Sequence, residues 1–517
     1  MTDAAARLDS LLPRPMVVAA GEGTLTLPRG FGITGHPEWV EAWATVLRAL
    51  QPAADGDPVV TLSRDDTLGS EAYRLVVTGA GIEVTAADLA GALHAAQSVL
   101  QLLPPECGLP AVPASVTPEV ACCTVEDQPR YRWRGAHVDV SRHFMPITWL
   151  FSFVDTLALH KLNVLHLHLT DDQGWRFEVP GYPLLTEVGS HRPGTRYPHQ
   201  DEHDGVPRGG FYTTAQLKAL VAYAQERGIT IVPEIDLPGH VRALLAAYPE
   251  YGHGEGQPIA VEGGIFDEVL WLDDRTMGMV EDVFTHLLDV FPSPYIHVGG
   301  DESPQTQWRD NPEADALAAS RGLESFEQLQ RWFTLHLRQW LADRGRRLVG
   351  WDEILDAGPV EDAVVMGWRG VEPGRRALAA GYQVVMAPSP TLYFDYYQSD
   401  GDDEPYGRPP TVTWQDVAAY DPAEGVDEAH LGGLLGVQGQ VWTEWIPDPA
   451  HLEYMVFPRL SVLAEIAWRG VADPATLETR LRAHLERLDA RGVAHRPLDG
   501  PHPWQQGGTG VRRRVSA

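Results

Sequence analysis

A chain of 517 residues can bury a large core and is long enough for two or three domains. Its 40 Lys and Arg against 71 Asp and Glu leave a net charge of −31, which argues against nucleic acid and anionic membrane surfaces as partners. Three cysteines, Cys107, Cys122 and Cys123, cannot build a disulfide framework, so a reducing cytoplasm and a neutral or cationic ligand suit the composition better.

The first fifteen residues lack the basic head and apolar core of a secretory signal, which makes a cytoplasmic location the expectation. No run of about twenty apolar residues predicts a membrane span. Alternating segments at 59–62 and 73–77 lead into an amphipathic helix over 88–103, together a small α+β unit. Residues 104–129 are rich in Pro and read as a connection. The expected organisation is an N-terminal α+β domain over 1–128, a larger domain over 129–498 whose last helix spans 474–491, and a flexible tail over 499–517.

In the larger domain, apolar segments recur at 135–140, 164–169, 229–235, 295–298, 347–350, 363–367, 383–387 and 434–441, with helical patterns between them. Eight strands alternating with helices predict an α/β fold of the (β/α)8 barrel type. An open doubly wound sheet would show a Gly-rich phosphate loop after its first strand, and none is visible. Residues 186–214, long and polar, are expected to cap one side of a pocket.

The residues at the C-terminal end of each strand point to a site. Arg142 and His143 come after the first, Asp171 and Asp172 after the second, Asp236 and His240 after the third, Asp301 and Glu302 after the fourth. Trp351 and Asp352, Trp368 and Arg369, Tyr393 and Asp395, and Trp442 and Glu444 end the other four. Barrel enzymes build their active sites at this end of the strands. The fourth case is the most telling, because Gly299-Gly300 frees the backbone to bend just where two adjacent carboxylates arrive.

Carboxylates and tryptophans at one mouth suggest a sugar ligand, since pyranose C–H faces stack on aromatic rings and hydroxyls donate to carboxylates. Trp351, Trp368, Trp414 and Trp442 are the candidate walls. His166 and His168 share a strand face ahead of Asp171, which raises a metal-dependent hydrolase as a rival. The later strand ends carry Trp, Tyr and Glu instead of further ligands, so no metal or cofactor is expected. A sugar-binding module without catalysis is the other rival, disfavoured because both acids are present.

Four motifs carry a family resemblance: Asp139-Val140-Ser141-Arg142-His143-Phe144, His168-Leu169-Thr170-Asp171-Asp172-Gln173-Gly174-Trp175-Arg176, Glu234-Ile235-Asp236-Leu237-Pro238-Gly239-His240 and His297-Val298-Gly299-Gly300-Asp301-Glu302. With them the chain resembles glycoside hydrolase family 20, the β-N-acetylhexosaminidases, and Glu71-Ala72-Tyr73-Arg74-Leu75 resembles that family's non-catalytic domain. The resemblance implies an exo-acting retaining enzyme in which the substrate's own 2-acetamido oxygen is the nucleophile and an oxazolinium ion the intermediate. It implies that Glu302 is the acid and then the base, and that Asp301 orients the acetamido group. Tyr393 would bind the acetamido oxygen, and Trp351, Trp368 and Trp442 would wall the pocket. Arg142 and Glu444 would hold outer hydroxyls, and Asp171 with His240 would relay to Glu302. Asp395 is expected near the anomeric side and Trp414 near the leaving group. Leu167 and Tyr396-Tyr397 depart from the family pattern, which leaves the outer pocket and the gluco/galacto preference open.

Overall fold

The computed structural model describes residues 3–198, 200–254, 256–401, 404–471 and 474–500. Apart from residues 499 and 500, the tail expected to be flexible lies outside the described residues.

The N-terminal part is one six-stranded sheet, built from β1 (Val17–Thr26), β2 (Gly32–Gly35), β3 (Pro58–Arg64), β4 (Tyr73–Thr78), β5 (Gly81–Ala86) and β6 (Glu119–Asp127) in the order β1-β6-β4-β5-β3-β2. Strand β6 corrects the reading of 104–129 as a connection, because it pairs with both β1 and β4 as an inner strand. Its run Val120-Ala121-Cys122-Cys123 is buried on both faces, so it shows no alternation and the prolines upstream mask it. The predicted helix is Leu89–Leu102, capped by Asp88, whose side chain accepts from Gly91 N. From Gly91 to Leu102 it is buried all round, as a helix squeezed between sheet and barrel must be. Gln101 reaches across to the carbonyl of Leu159 in the barrel layer over 2.9 Å.

The rest is a closed barrel of eight parallel strands: β7 (Trp133–Asp139), β8 (Val164–His168), β9 (Thr230–Glu234), β10 (Tyr295–His297), β11 (Arg347–Trp351), β12 (Val364–Gly367), β13 (Gln383–Met386) and β14 (Leu434–Gly439). Each predicted apolar segment carries one of them. Period-two alternation divides each strand between two layers. Val164, Val232, Val349, Val364 and Val385 fill the barrel interior with Trp133 and Trp351, while Leu165 and Leu167 join the layer under the helices. The crossover after β11 departs from the expected alternation. Only the 3-10 turn Asp352–Leu355 precedes β12, which keeps Asp352 and Glu353 close to the barrel mouth.

Candidate active site

The strand end at β10 is shaped by its glycines. Gly299 and Gly300 adopt φ of 70° and 95°. A Cβ at Gly299 would stand 1.6 Å from Asp236 Oδ1, and one at Gly300 2.8 Å from Ile354 Cγ2. No side chain fits either position. Gly300 N donates to Asp236 Oδ1 over 3.1 Å, so the bend is locked onto β9. Glu302 itself sits at φ 41°, a left-handed conformation that costs a non-glycine residue about 1–2 kcal/mol and that the fold must hold in place. The bend turns Asp301 inward, buried, and leaves Glu302 half-exposed at the mouth.

Both carboxylates face an open cavity of about 100 Å³ at the C-terminal end of the barrel. Trp351, Trp368, Trp442 and Tyr393 line it. Trp368 and Tyr393 stack with centroids 6.1 Å apart, and Trp351 and Trp442 lie 5.8 Å apart. Two rings are tethered from behind: Trp351 Nε1 donates to Glu234 over 2.8 Å and Trp368 Nε1 to Glu353 over 2.9 Å. Burial and the neighbouring Asp301 charge push the Tyr393 phenol well above its ordinary range, so it stays a donor.

A chain of buried charges runs behind the acids. His240 Nε2 stands 3.7 Å from Glu302 and 3.8 Å from Asp301. Its Nδ1 bonds Asp172 over 3.0 Å and lies 3.3 Å from Asp171. Asp172 is thus a closer partner than the Asp171 expected for the relay, because Asp171 Oδ2 is taken by Arg142 at 2.8 Å and His168 at 2.7 Å. Burial opposes the His240 cation, but Asp171, Asp172 and Glu302 outweigh it and push His240 well above the usual imidazole range.

Asp301 has a second buried carboxyl beside it. Burial and the Asp301 charge drive Asp236 well above the normal carboxylate range, and Asp301 is raised too, by burial and by Glu234 and Glu302 against the pull of His240. The neighbouring Asp236 side chain also pulls Asp301 back towards its ionised form. Two such carboxyls side by side resist ionising together, so the pair holds on to a proton more strongly than a lone carboxylate would. Glu353 adds a third carboxyl, pushed up to about 8 by burial and by Asp301 and Asp352.

The outer rim holds Arg142, Glu444, Asp395 and Arg408. Arg142 packs 5.0 Å over the Trp442 ring. Arg408 pairs with Glu444, and its Nε lies 3.2 Å from Asp395 Oδ2. Burial disfavours the Glu444 charge, but Arg408 and Arg142 hold it below the usual carboxylate range. Asp395 is pushed up to about 7, by burial and by Glu444 against Arg408. Its charged neighbours are Arg408, Glu444 and Arg459, so Asp395 belongs to this rim and not to the Asp301–Glu302 side where it was expected.

Other expectations need correction as well. Trp414 begins the short helix Trp414–Ala418 and is buried in the main core against the helix Arg459–Arg469, away from the cavity. Leu167 points to the helix layer, so the departure there does not touch the pocket, whereas Tyr396 does line it. Among the described residues of 186–214 none lines the cavity. That segment buttresses the Arg142 loop from behind, with Thr195 Oγ1 3.2 Å from His143 Nε2. Arg408 and Glu353 escaped the sequence reading. Glu353 could have been found as the neighbour of Trp351-Asp352, but Arg408 lies in an aperiodic loop without a local signal.

His166, Glu234 and His297, and likewise His137, His168 and Glu234, come within range of a shared cation. Glu234 is already engaged, taking His168 at 2.6 Å, His297 at 2.9 Å and Trp351, and His168 spends its other nitrogen on Asp171, whereas both His137 nitrogens and Nε2 of His166 and His297 make no aligned hydrogen bond among the described residues. Through Glu234 the cluster ties His168, His297 and Trp351 together and so fixes the Trp351 wall.

A closed parallel barrel with an acid pair and aromatic walls at its C-terminal mouth defines a carbohydrate-processing enzyme. Comparison with known proteins narrows the class. Residues 131–471 match the glycosyl hydrolase family 20 catalytic domain, and residues 9–128 match domain 2 of the same family. A β-hexosaminidase of Akkermansia muciniphila is 36% identical over 465 residues, covering 88% of this chain and 90% of that protein. One from Porphyromonas gingivalis is 36% identical over 86% of this chain, which spans 56% of that longer protein. The solved exo-β-N-acetylglucosaminidase of Vibrio harveyi, in complex with N-acetylglucosamine, superposes with a TM-score of 0.85 at 30% identity, covering 95% of this chain and 79% of that one. The chain belongs to glycosyl hydrolase family 20 and is a glycoside hydrolase.

Proposed function

We propose that this chain is an exo-acting, retaining β-N-acetylhexosaminidase that removes terminal N-acetylhexosamine from oligosaccharides or glycoconjugates. The observation that carries the reading is the asymmetry of the acid pair. Asp301 is buried against Asp236 and the ring-walled pocket, while Glu302 is half-exposed at the mouth.

In this reading the three tryptophans enclose the acetamido group, Asp301 accepts from its N–H, and Tyr393 donates to its oxygen. That oxygen attacks the anomeric carbon as the glycosidic C–O bond breaks and the Glu302 proton passes to the leaving oxygen. Water, deprotonated by Glu302, then opens the oxazolinium ion. Asp301 stabilises the positive charge on that ion, and Arg142, Glu444 and Asp395 hold outer hydroxyls. The activities named for the relatives, and the sugar bound in the Vibrio structure, support the substrate class. The three buried unpaired cysteines fit a reducing compartment.

Hydrolysis of a chromogenic N-acetylglucosaminide, beside the matching glucoside, tests the reading. The acetamido substrate should be cleaved and the glucoside scarcely at all, with Glu302→Gln losing the activity and Asp301→Ala costing about 3–4 kcal/mol in kcat/KM. Comparable rates on the two substrates would overturn the mechanism.

A further inference from the structure

The loop carrying Arg408 is laced to the strand end carrying Asp395. Arg408 N donates to Asp395 O, and Tyr397 N donates back to Arg408 O, each over 2.9 Å. Gly407 permits this approach, since a Cβ there would lie 2.9 Å from Asp395 O and 2.8 Å from Met455 Cε. From this anchored backbone the guanidinium lies against the Trp445 ring, 5.0 Å from its centroid, and reaches the cavity between Asp395 and Glu444.

This bridge leaves hydrogen-bonding capacity unused. Both Asp395 oxygens are buried and neither accepts an aligned hydrogen bond among the described residues, although Arg408 Nε stands 3.2 Å away. Arg408 spends Nη2 on Glu444 and directs Nε towards Asp395, and Nη1 has no acceptor among the described residues. A sugar hydroxyl is donor and acceptor at once. Entering here, it can donate to Asp395 and accept from Arg408 in the same pose, which a carboxylate pair alone cannot offer. Inverting a ring carbon moves that hydroxyl off the rim and leaves buried polar groups unpaired, the situation in which a site discriminates most strongly.

We propose that Arg408 is a specificity-determining residue: with Asp395 and Glu444 it forms an acceptor–donor–acceptor rim that reads the configuration of the terminal sugar's outer hydroxyls. The inference rests on the β-N-acetylhexosaminidase reading.

The test measures kcat/KM of the wild type, Arg408→Met and Arg408→Lys on a matched pair of chromogenic N-acetylglucosaminide and N-acetylgalactosaminide. Arg408→Met should change the ratio between the two substrates by roughly tenfold, mainly through KM, and Arg408→Lys should recover part of it because an ammonium keeps the charge without the two-pronged bridge. Equal losses on both substrates, or none, in a folded and active Arg408→Met would overturn the role. A wild type that cleaves neither substrate would instead bring down the enzymatic reading itself, and this inference with it.

Discussion

His240 Nε2 stands 3.7 Å from Glu302 Oε2, close enough for the imidazolium to act on that carboxyl and too long for a formed hydrogen bond. The separation lets the charge of His240 act on the acid pair while Glu302 stays free to exchange its proton with a substrate oxygen or a water.

His240→Gln removes that charge while keeping a polar side chain. It should lower kcat by about 10- to 100-fold and change KM by less than about threefold. Steady-state kinetics decide the matter, and a raised KM with unchanged kcat would make His240 a binding residue instead.

Asp236 accepts from Gly300 N, and burial beside Asp301 makes its carboxyl resist ionising. Asparagine keeps an uncharged acceptor for Gly300 N, and alanine removes it. Asp236→Asn should therefore stay within about tenfold of wild-type kcat/KM, while Asp236→Ala should fall by about 100-fold or more. If both variants lose activity alike, an uncharged acceptor at this position is not what the site needs.

The raised carboxyls Asp395 and Glu353 make a pH signature. Both titrate higher in the folded chain than in an unfolded one, at about 7 and about 8, so the folded state binds more protons in between. The stability this contributes is full below about pH 4 and is lost as pH rises through those values. Asp395→Asn and Glu353→Gln cannot ionise, and at about pH 9 each should exceed the wild type in stability by on the order of a few kcal/mol. Tm across the pH range, in the absence of substrate, measures it; parallel curves for variants and wild type would contradict the assignment.

Lys161, buried under the barrel, bonds Asp127 and Tyr73 of the small domain, each over 2.8 Å. Lys161→Met strands the Asp127 charge, and urea unfolding should show a loss of about 3–5 kcal/mol. A loss below about 1 kcal/mol would mean that Trp468, which also donates to Asp127, suffices to hold the interface.

Trp414 is a core residue in this structure. Trp414→Phe should lower the urea midpoint yet leave KM for a chromogenic monosaccharide glycoside within about twofold of wild type. A large rise in KM at unchanged stability would return it to the binding site.

All eight barrel strands were legible because each is a short apolar run set off by helical patterns, and the side chains ending each strand need no knowledge of their neighbours. That is enough to pick out Asp301 and Glu302, since Gly299 and Gly300 announce the bend locally. Strand β6 was not legible, because the Pro-rich stretch that leads into it reads as a connection. Sequence alone thus determined the barrel, the end at which chemistry would gather and the acid pair. Only the closed tertiary structure decided which loop side chains meet there: Arg408 arrives from an aperiodic loop, Trp414 withdraws into the core, and Asp236 comes to lie beside Asp301. An apolar run is a property of neighbours in the chain, whereas convergence depends on barrel register and on which buried charges must find a partner.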